Sequence, residues 1–572
     1  MIALAGVLAA APIAGEPVAR MDDKPAPITV VDLQPFRTES AIDVQGADGS
    51  SGTAVLINLN PNVSSWFLLK LDFGAARPEQ AYHLESVRPD PALSIAAGPR
   101  GRLLVNFSDR LPACTLSIAD GGGPSSLEAA RRSGLPFAPL CDGRLYLRNH
   151  TVGRASTLEK VTGFLRDHVW GGAQIVEFVK EEIYKDAFRE QGVPAADAGA
   201  WAQPESAPAA ALLESSQADV ALTPPHLGLD VDAPGPRLLL GRWYPLRGLP
   251  DAYFSVLMPA AVDHNILYGH EASVNPLTES ESSALVYLVA FDLARFELRF
   301  TLGTEHPRLG WSPRPPPGSQ DPALPGPDGI DSPDPLVITG MVPPADAART
   351  VAAFAGGFKR EHGAFRFGAL AERNHGSHYG FVEQGVIFSK LQPGLATVMT
   401  TVSGEVRMYT WSSADGARLA SVRDARQNGV PLIDYDARRN ASAPGALVNV
   451  WAEGNWSGSA NEDLRTVRAG LCEQDSGARR FLVFAYFSSA SPSAMARVFQ
   501  AYRCRYAMHL DMNALEHTYF ATYLSQGGRR VVEHLIDGMD VLDRQAGGSL
   551  APRFIGFPDN RDFFYLMRRA GP

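Results

Sequence analysis

Between Gly192 and Pro236 the chain has no sustained period: Ala, Pro, Ser and acidic residues dominate, and apolar positions recur at neither helical nor strand spacing. A stretch of that kind reads as a linker or a loosely packed loop. It interrupts a chain of 572 residues, and single cores stop growing at about 250–300 residues. The main domain boundary is therefore expected at 192–236, with a β-rich domain over 28–150 and a helical segment over 151–191 before it, and a larger domain over 237–572 after it.

In the first half, Thr53 to Leu59, Trp66 to Phe73, Leu103 to Phe107 and Leu145 to Leu147 are apolar or β-branched runs divided by Gly, Pro and Asp, the pattern of short strands. The period then changes. Leu158, Val161, Leu165 and Val169 follow Ser156, which has Glu159 three residues on as in a capping box, and Ile175, Phe178, Val179, Ile183 and Ala187 resume the stripe beyond Gly171-Gly172. A pair of helices is expected across Thr157 to Glu190.

After the linker, strands are expected at Leu238 to Tyr244, Tyr253 to Met258, Leu285 to Phe291 and Phe296 to Leu302, the last two joined as a hairpin by Asp292-Leu293-Ala294-Arg295. Ser312 to Pro335, rich in Pro, Gly and Asp, reads as an extended surface loop. The strand Phe481 to Phe487 ends in Ser488-Ser489-Ala490-Ser491-Pro492. Ser491 suits an N-cap and Pro492 the first helical position, so a helix should run from Pro492 to about Arg503, followed by a strand from Tyr506 to Leu510 that delivers Asp511. Strand, helix and strand in that order suggest a crossover unit. The fold class expected is α+β: a β-rich N-terminal domain with a helical pair, then a mixed α/β C-terminal domain.

Of the charged side chains 52 are basic and 62 acidic, giving a net charge of -10 without basic blocks, so nucleic acid is excluded as the expected partner. Met1 to Gly15 is apolar and small, with Ala9, Ala10 and Ala11 suited to signal-peptidase cleavage but no basic residues ahead of them. Residues 1–20 read as an export signal whose true start lies upstream, or else as merely an apolar N-terminus. No other run approaches the roughly 18 apolar residues that cross a bilayer. The four cysteines have no metal-ligand spacing. In an exported protein, proximity pairs Cys114 with Cys141 and Cys472 with Cys504, each link stabilising by about 3–4 kcal/mol in the chain-entropy account; four reduced buried thiols are the alternative.

Chemistry concentrates after Val351. Gly356-Gly357 follows an apolar run and lets backbone approach a neighbour or a ligand closely, although paired glycines are also ordinary turn punctuation. A crossover would set Ser488, Ser489 and the N–H groups at the Pro492 helix start against Asp511 across a crevice, and helix starts attract anions; ordinary capping is the plainer account. His375, His378, His509 and His517 lie in the same region, but no helical His-x-x-x-His pair occurs, so neither a metal nor another cofactor is expected.

In order and spacing, these pieces resemble the phosphodiester glycosidase family, whose members include enzymes that remove N-acetylglucosamine from a phosphodiester to uncover mannose 6-phosphate. The resemblance covers roughly Leu285 to Tyr523. Ala355-Gly356-Gly357-Phe358 is similar to the family's Asn-Gly-Gly-Phe, Arg465-Thr466-Val467-Arg468-Ala469 to its Arg-Thr-Ala-Ile-Gly, and Cys504 through Asp511 to the approach to its Leu-Asp-Gly-Gly-Gly-Ser. Ala355 stands where the family has an amide, and Met512-Asn513-Ala514-Leu515 replaces the glycine-rich turn.

A sugar-1-phosphodiester has a leaving group that is already a stable anion. The resemblance therefore implies a site that holds phosphate and stabilises a cationic sugar ring, with Arg465, Lys359 and the Pro492 helix start as donors, Asp511 as the carboxylate and Glu516 as a second carboxylate. Gly356, Gly357, Thr466, Ser488, Ser489 and Ser491 would line it. Three readings follow: hydrolysis of a glycosyl phosphodiester in an envelope polymer or glycolipid, binding of phosphorylated carbohydrate without turnover, or an exported module for protein contacts.

Overall fold

The computed structural model describes residues 27–74, 77–87, 93–107, 112–118, 124–153, 193–194, 201–269, 272–312, 315–359, 365, 368–373, 375, 379–450, 465–546 and 549–569. The expected export signal and the expected helical pair across Thr157 to Glu190 lie outside these residues.

In the first half, six strands form one antiparallel sheet in the spatial order Thr38–Gln45, Ser51–Asn58, Trp66–Asp72, Gln80–Ser86, Leu145–Arg148, Phe137–Leu140. Its third strand is apolar on both faces because both faces are covered. Phe67, Leu69 and Leu71 pack with Ile95, Leu103 and Leu116 of a small three-stranded sheet, and Trp66 and Leu68 join the large core of the rest of the chain. Cys114 is disulfide-bonded to Cys141, tying the small sheet to the turn before Leu145–Arg148. The described part of the 192–236 stretch lies along the large core, where Ala207, Val220, Leu222 and Leu229 are buried and Trp201 stacks on Tyr244 with ring centroids 5.0 Å apart.

In the second half, an eight-stranded sheet runs Tyr244–Leu246, Leu249–Leu257, Val286–Asp292, Arg479–Ala490, Thr466–Ser476, Cys504–Met512, Pro431–Asp436, Ala441–Pro444. A five-stranded sheet, Phe296–Thr301, Phe563–Arg568, Thr350–Ala355, Phe520–Gln526, Arg529–His534, faces it. Aromatic rings fill the space between them: Phe484 lies 5.1 Å from Phe354 and 5.0 Å from Phe520, centroid to centroid. Interlocking rings of this size dominate such a core. A further five-stranded sheet contains Val422–Gln427 at its centre.

The α+β expectation is corrected by this architecture. Among the described residues there are seven sheets, and the longest helix is Pro492–Ala501. The strands that flank this helix, Arg479–Ala490 and Cys504–Met512, are not neighbours; each pairs antiparallel with Thr466–Ser476, which sits between them. The slot that a parallel partner would fill is taken by the strand that precedes Arg479 through the turn at Gly477, which has φ +61°. No mixed α/β layer results. The Asp292 turn also differs from expectation. It closes, with Arg295 N–H donating to Asp292 O at 2.8 Å, but Val286–Asp292 and Phe296–Thr301 enter different sheets instead of pairing. Phe291 and Phe296 pack edge-on across it at 5.3 Å, so apolar burial between sheets wins over a local hairpin.

Candidate functional site

Gly356 and Gly357 leave the strand Thr350–Ala355 as a loop pressed against Arg426 and Asn428. Gly357 has φ +138°, a region side chains rarely adopt, and a Cβ there would meet the Arg426 guanidinium and stand 2.8 Å from Asn428 Oδ1. Close approach of backbone to polar groups is the reason for glycine. The fully buried Arg426 donates to Phe358 O (2.8 Å), Asn428 Oδ1 (2.9 Å) and Asp562 Oδ2 (3.1 Å). Asn428 in turn accepts from Phe358 N–H at 3.1 Å and donates to His509 O and Leu510 O at 2.6 Å each. The loop is thereby fastened to the strand that carries Asp511.

Asp511 sits where that strand is irregular. Against Thr466–Ser476, Arg468 pairs with Met512 and Gly470 with His509, so three residue steps face two. Such a bulge re-aims side chains. The carboxylate accepts Met512 N–H at 2.8 Å and stands 3.6 Å from Arg561 Nη2, with only 4% of the residue exposed. Burial pushes its pKa up to about 6, against the opposing pull of Arg561, the Met512 N–H, Arg426 and Lys359. His509, on the same strand, approaches Arg468 instead, at 3.4 Å, and burial and then Arg468 hold it neutral, well below the usual histidine range.

Lys359 pairs with Glu305 at 3.0 Å. Burial would raise the Glu305 pKa, but Lys359, then Arg561 and Asn560, outweigh it and hold the carboxyl below its ordinary range. Glu305 belongs to a segment joined to the chain end: Gly303 N–H donates to Asp562 Oδ1 (3.0 Å), Thr304 N–H to Asp559 O (3.1 Å) and Glu305 N–H to Asn560 O (3.2 Å). Asp562 is held ionised by His306, at 2.6 Å, and by Arg426, which outweigh its burial. Lys359, Arg426 and Arg561 thus stand among Asp511, Glu305 and Asp562, with Lys359 and Arg561 acting on both Asp511 and Glu305.

The remaining expected residues form a different cluster. Arg465 Nε donates to Thr278 Oγ1 at 2.9 Å and pairs with Glu281 at 3.3 Å; among the described residues its acidic partner is Glu281 and not Asp511. Glu281 Oε1 accepts the Ser491 N–H at 2.8 Å, so a side chain of the protein itself occupies the polar start of the Pro492–Ala501 helix. Ser491 caps that helix through Ala494 N–H at 3.3 Å. Thr466 and Ser489 are half-buried, and the buried Ser488 hydroxyl has no hydrogen-bond partner among the described residues. Glu516 is buried with its carboxylate 3.5 Å from His517 Nε2, and its carbonyl accepts from Arg553 at 2.7 Å.

Sequence reasoning missed Arg426, Asn428, Glu305, Arg561, Asp562 and Glu281. Only Glu281 had a local signal, the Thr278-x-x-Glu281 capping box. The arrangement holds one protonatable carboxyl and one firmly ionised carboxylate around two shared cations. Carboxyls pushed apart in this way are suited to separate acid and base roles.

No protein-family model and no curated protein sequence matches the chain. Among solved structures, the zebrafish N-acetylglucosamine-1-phosphodiester alpha-N-acetylglucosaminidase catalytic domain, auto-inhibited by its pro-peptide, aligns with 56% of this chain and 85% of its own, at 9% identity and a TM-score of 0.28. A Burkholderia pseudomallei protein described as exported aligns with 52% of this chain and 76% of its own, at 11% identity and a TM-score of 0.22.

Proposed function

We propose that the protein is an exported, glycosidase-like hydrolase of sugar-1-phosphodiesters such as those of envelope polymers or glycolipids, acting at the Asp511 cluster. The observation that carries this reading is the buried Asp511 carboxyl, with its pKa near 6, among Lys359, Arg426 and Arg561. Fixed cations in a dry site stabilise a departing phosphate far better than they do in water. Lys359 and Arg561 receive the phosphate, and Asp511, once ionised, faces the positive charge that develops on the sugar ring. Ser488, Ser489 and Thr466 remain as sugar contacts, and Glu516 as the second carboxylate that the sequence singles out. Two disulfides, Cys114–Cys141 and Cys472–Cys504, suit an oxidising compartment, and no helix among the described residues is long and apolar enough to cross a membrane.

A second reading, binding without turnover, is favoured by one observation: Glu281 already fills the helix start and holds Arg465, two of the expected phosphate donors. The test uses the full chain with the methyl phosphodiesters of glucose 1-phosphate and N-acetylglucosamine 1-phosphate, read as free reducing sugar and, separately, by calorimetric binding. Hydrolysis that Asp511→Asn lowers on the order of a hundredfold supports the first reading. Binding without release of sugar supports the second, and neither binding nor release sinks both.

A further inference from the structure

We infer that Glu305 is the specificity-determining residue of the Asp511 site: its negative charge, set against Lys359, makes the cation cluster favour singly charged phosphodiesters over doubly charged phosphate monoesters. This rests on the hydrolase reading above. Lys359 follows the Gly356-Gly357 loop and meets Glu305 Oε2 at 3.0 Å, while Asn560 Nδ2 donates to Oε1 at 3.1 Å. Oε2 is buried where it meets the ammonium, and 16% of the Lys359 side chain stays exposed, so an anion that reaches Lys359 arrives beside a carboxylate. Charges in such a half-dry place are screened less than in water.

The carboxylate is fixed in position and in charge. Thr304 and Glu305 donate their N–H groups to Asp559 O and Asn560 O, which ties the segment to the chain end. Burial favours the protonated form, but Lys359, Arg561 and Asn560 outweigh it and keep the group ionised. A phosphodiester carries one negative charge at neutral pH and a monoester close to two, so Glu305 opposes the monoester about twice as strongly. Hydrolysis turns the first kind of anion into the second. Water adds to the anomeric carbon and loses its proton to solvent, and the electron pair of the broken bond stays with the phosphate. While that bond breaks, the charge growing on phosphate is matched by positive charge on the ring. Only the released monoester keeps the extra charge unmatched, so Glu305 acts against product more than against substrate and hastens its departure.

The experiment uses the full chain and calorimetric binding at pH 8.5 of two probes that have no glycosidic oxygen to cleave: glucose 1-C-phosphonate, which carries two negative charges there, and its methyl monoester, which carries one. The unmodified protein is expected to show no preference for the free phosphonate. Glu305→Gln, which keeps an oxygen for Asn560, is expected to tighten the monoester about fivefold and the free phosphonate about twenty-fivefold, because one removed charge acts once on a single charge and twice on a double one. Loss of a merely structural residue would weaken both probes. A ratio of the two affinities that Glu305→Gln leaves unchanged, or weakening of both, overturns the assignment of Glu305 and leaves the anion site in place. A preference of the unmodified protein for the free phosphonate overturns it as well, and that measurement needs no variant to fold. Binding of neither probe by the unmodified protein removes the anion site of the hydrolase reading, and this assignment with it.

Discussion

The carboxylate of Glu281 accepts the backbone N–H of Ser491 at 2.8 Å, 210 residues away in sequence, at the start of the Pro492–Ala501 helix. Thr278 and Arg465 donate to the same group. Its burial would raise the pKa, but the bonds from Ser491 and Thr278 outweigh it and hold it low. The folded state therefore binds fewer protons than the unfolded chain near pH 4 to 5. The stability contributed is fully present above the ordinary glutamate value and is lost as pH falls through the lower folded one. Glu281→Ala should cost about 3–5 kcal/mol in denaturant unfolding at pH 7, because it strands a buried N–H and an arginine. Glu281→Gln should cost less.

Asp511 has the opposite sign. Its carboxyl rises from 3.8 to about 6 on folding, so the folded chain binds more protons in that window. Its contribution to stability falls as pH rises from about 4 to about 6 and is level above. Asp511→Asn should flatten that part of the pH profile in thermal melts and, on the hydrolase reading, lower hydrolysis about a hundredfold. With Asp511 protonated, three cations face two carboxylates, so binding of the methyl phosphodiester of glucose 1-phosphate should tighten severalfold between pH 7 and pH 5. An affinity that does not change across this range would dissociate Asp511 from the anion site.

Gly357→Ala should destabilise by about 2 kcal/mol or more, since the residue has φ +138° and its new methyl meets Arg426 and Asn428. Gly356→Ala should be milder, because the nearest atom to its Cβ is 3.1 Å away at Asp562 and its φ is not positive. Shifts of the urea midpoint at constant slope distinguish the two.

Cys472 and Cys504 are buried in paired strands and enclose 32 residues of separation, against 27 for Cys114 and Cys141. Replacing Cys472 and Cys504 together by Ala should lower stability by about 3–4 kcal/mol in the chain-entropy account. Peptide mapping without reductant should recover both pairs.

Much of the strand framework was legible. Thr53 to Leu59 and Trp66 to Phe73 appear as Ser51–Asn58 and Trp66–Asp72, and Ser491-Pro492 starts a helix as its residue types require. Both local cysteine pairs formed. What escaped was long-range. Val286–Asp292 and Phe296–Thr301 have the local pattern of a hairpin, and only the aromatic layer between sheets sends them apart. Crossover reasoning from Phe481 to Leu510 could not foresee that Thr466–Ser476 would lie between the flanking strands. Of the candidate site, Asp511, Gly356, Gly357 and Lys359 come together, while Arg465 turns to Glu281. Arg426, Glu305 and Arg561 have no spacing that marks them, because each meets its partners through contacts between distant segments.

The strand Trp66–Asp72 sends Phe67, Leu69 and Leu71 into one core and Trp66 and Leu68 into another. Its sheet has no wet side there, and an engineer who removed the N-terminal half to obtain a shorter chain would leave the other half with an uncovered apolar face. The same cut would take away Gly153, whose N–H steadies Thr304 beside Glu305. The N-terminal half is therefore less an appendage than a cover for the larger core, and the two halves are to be expressed and redesigned together.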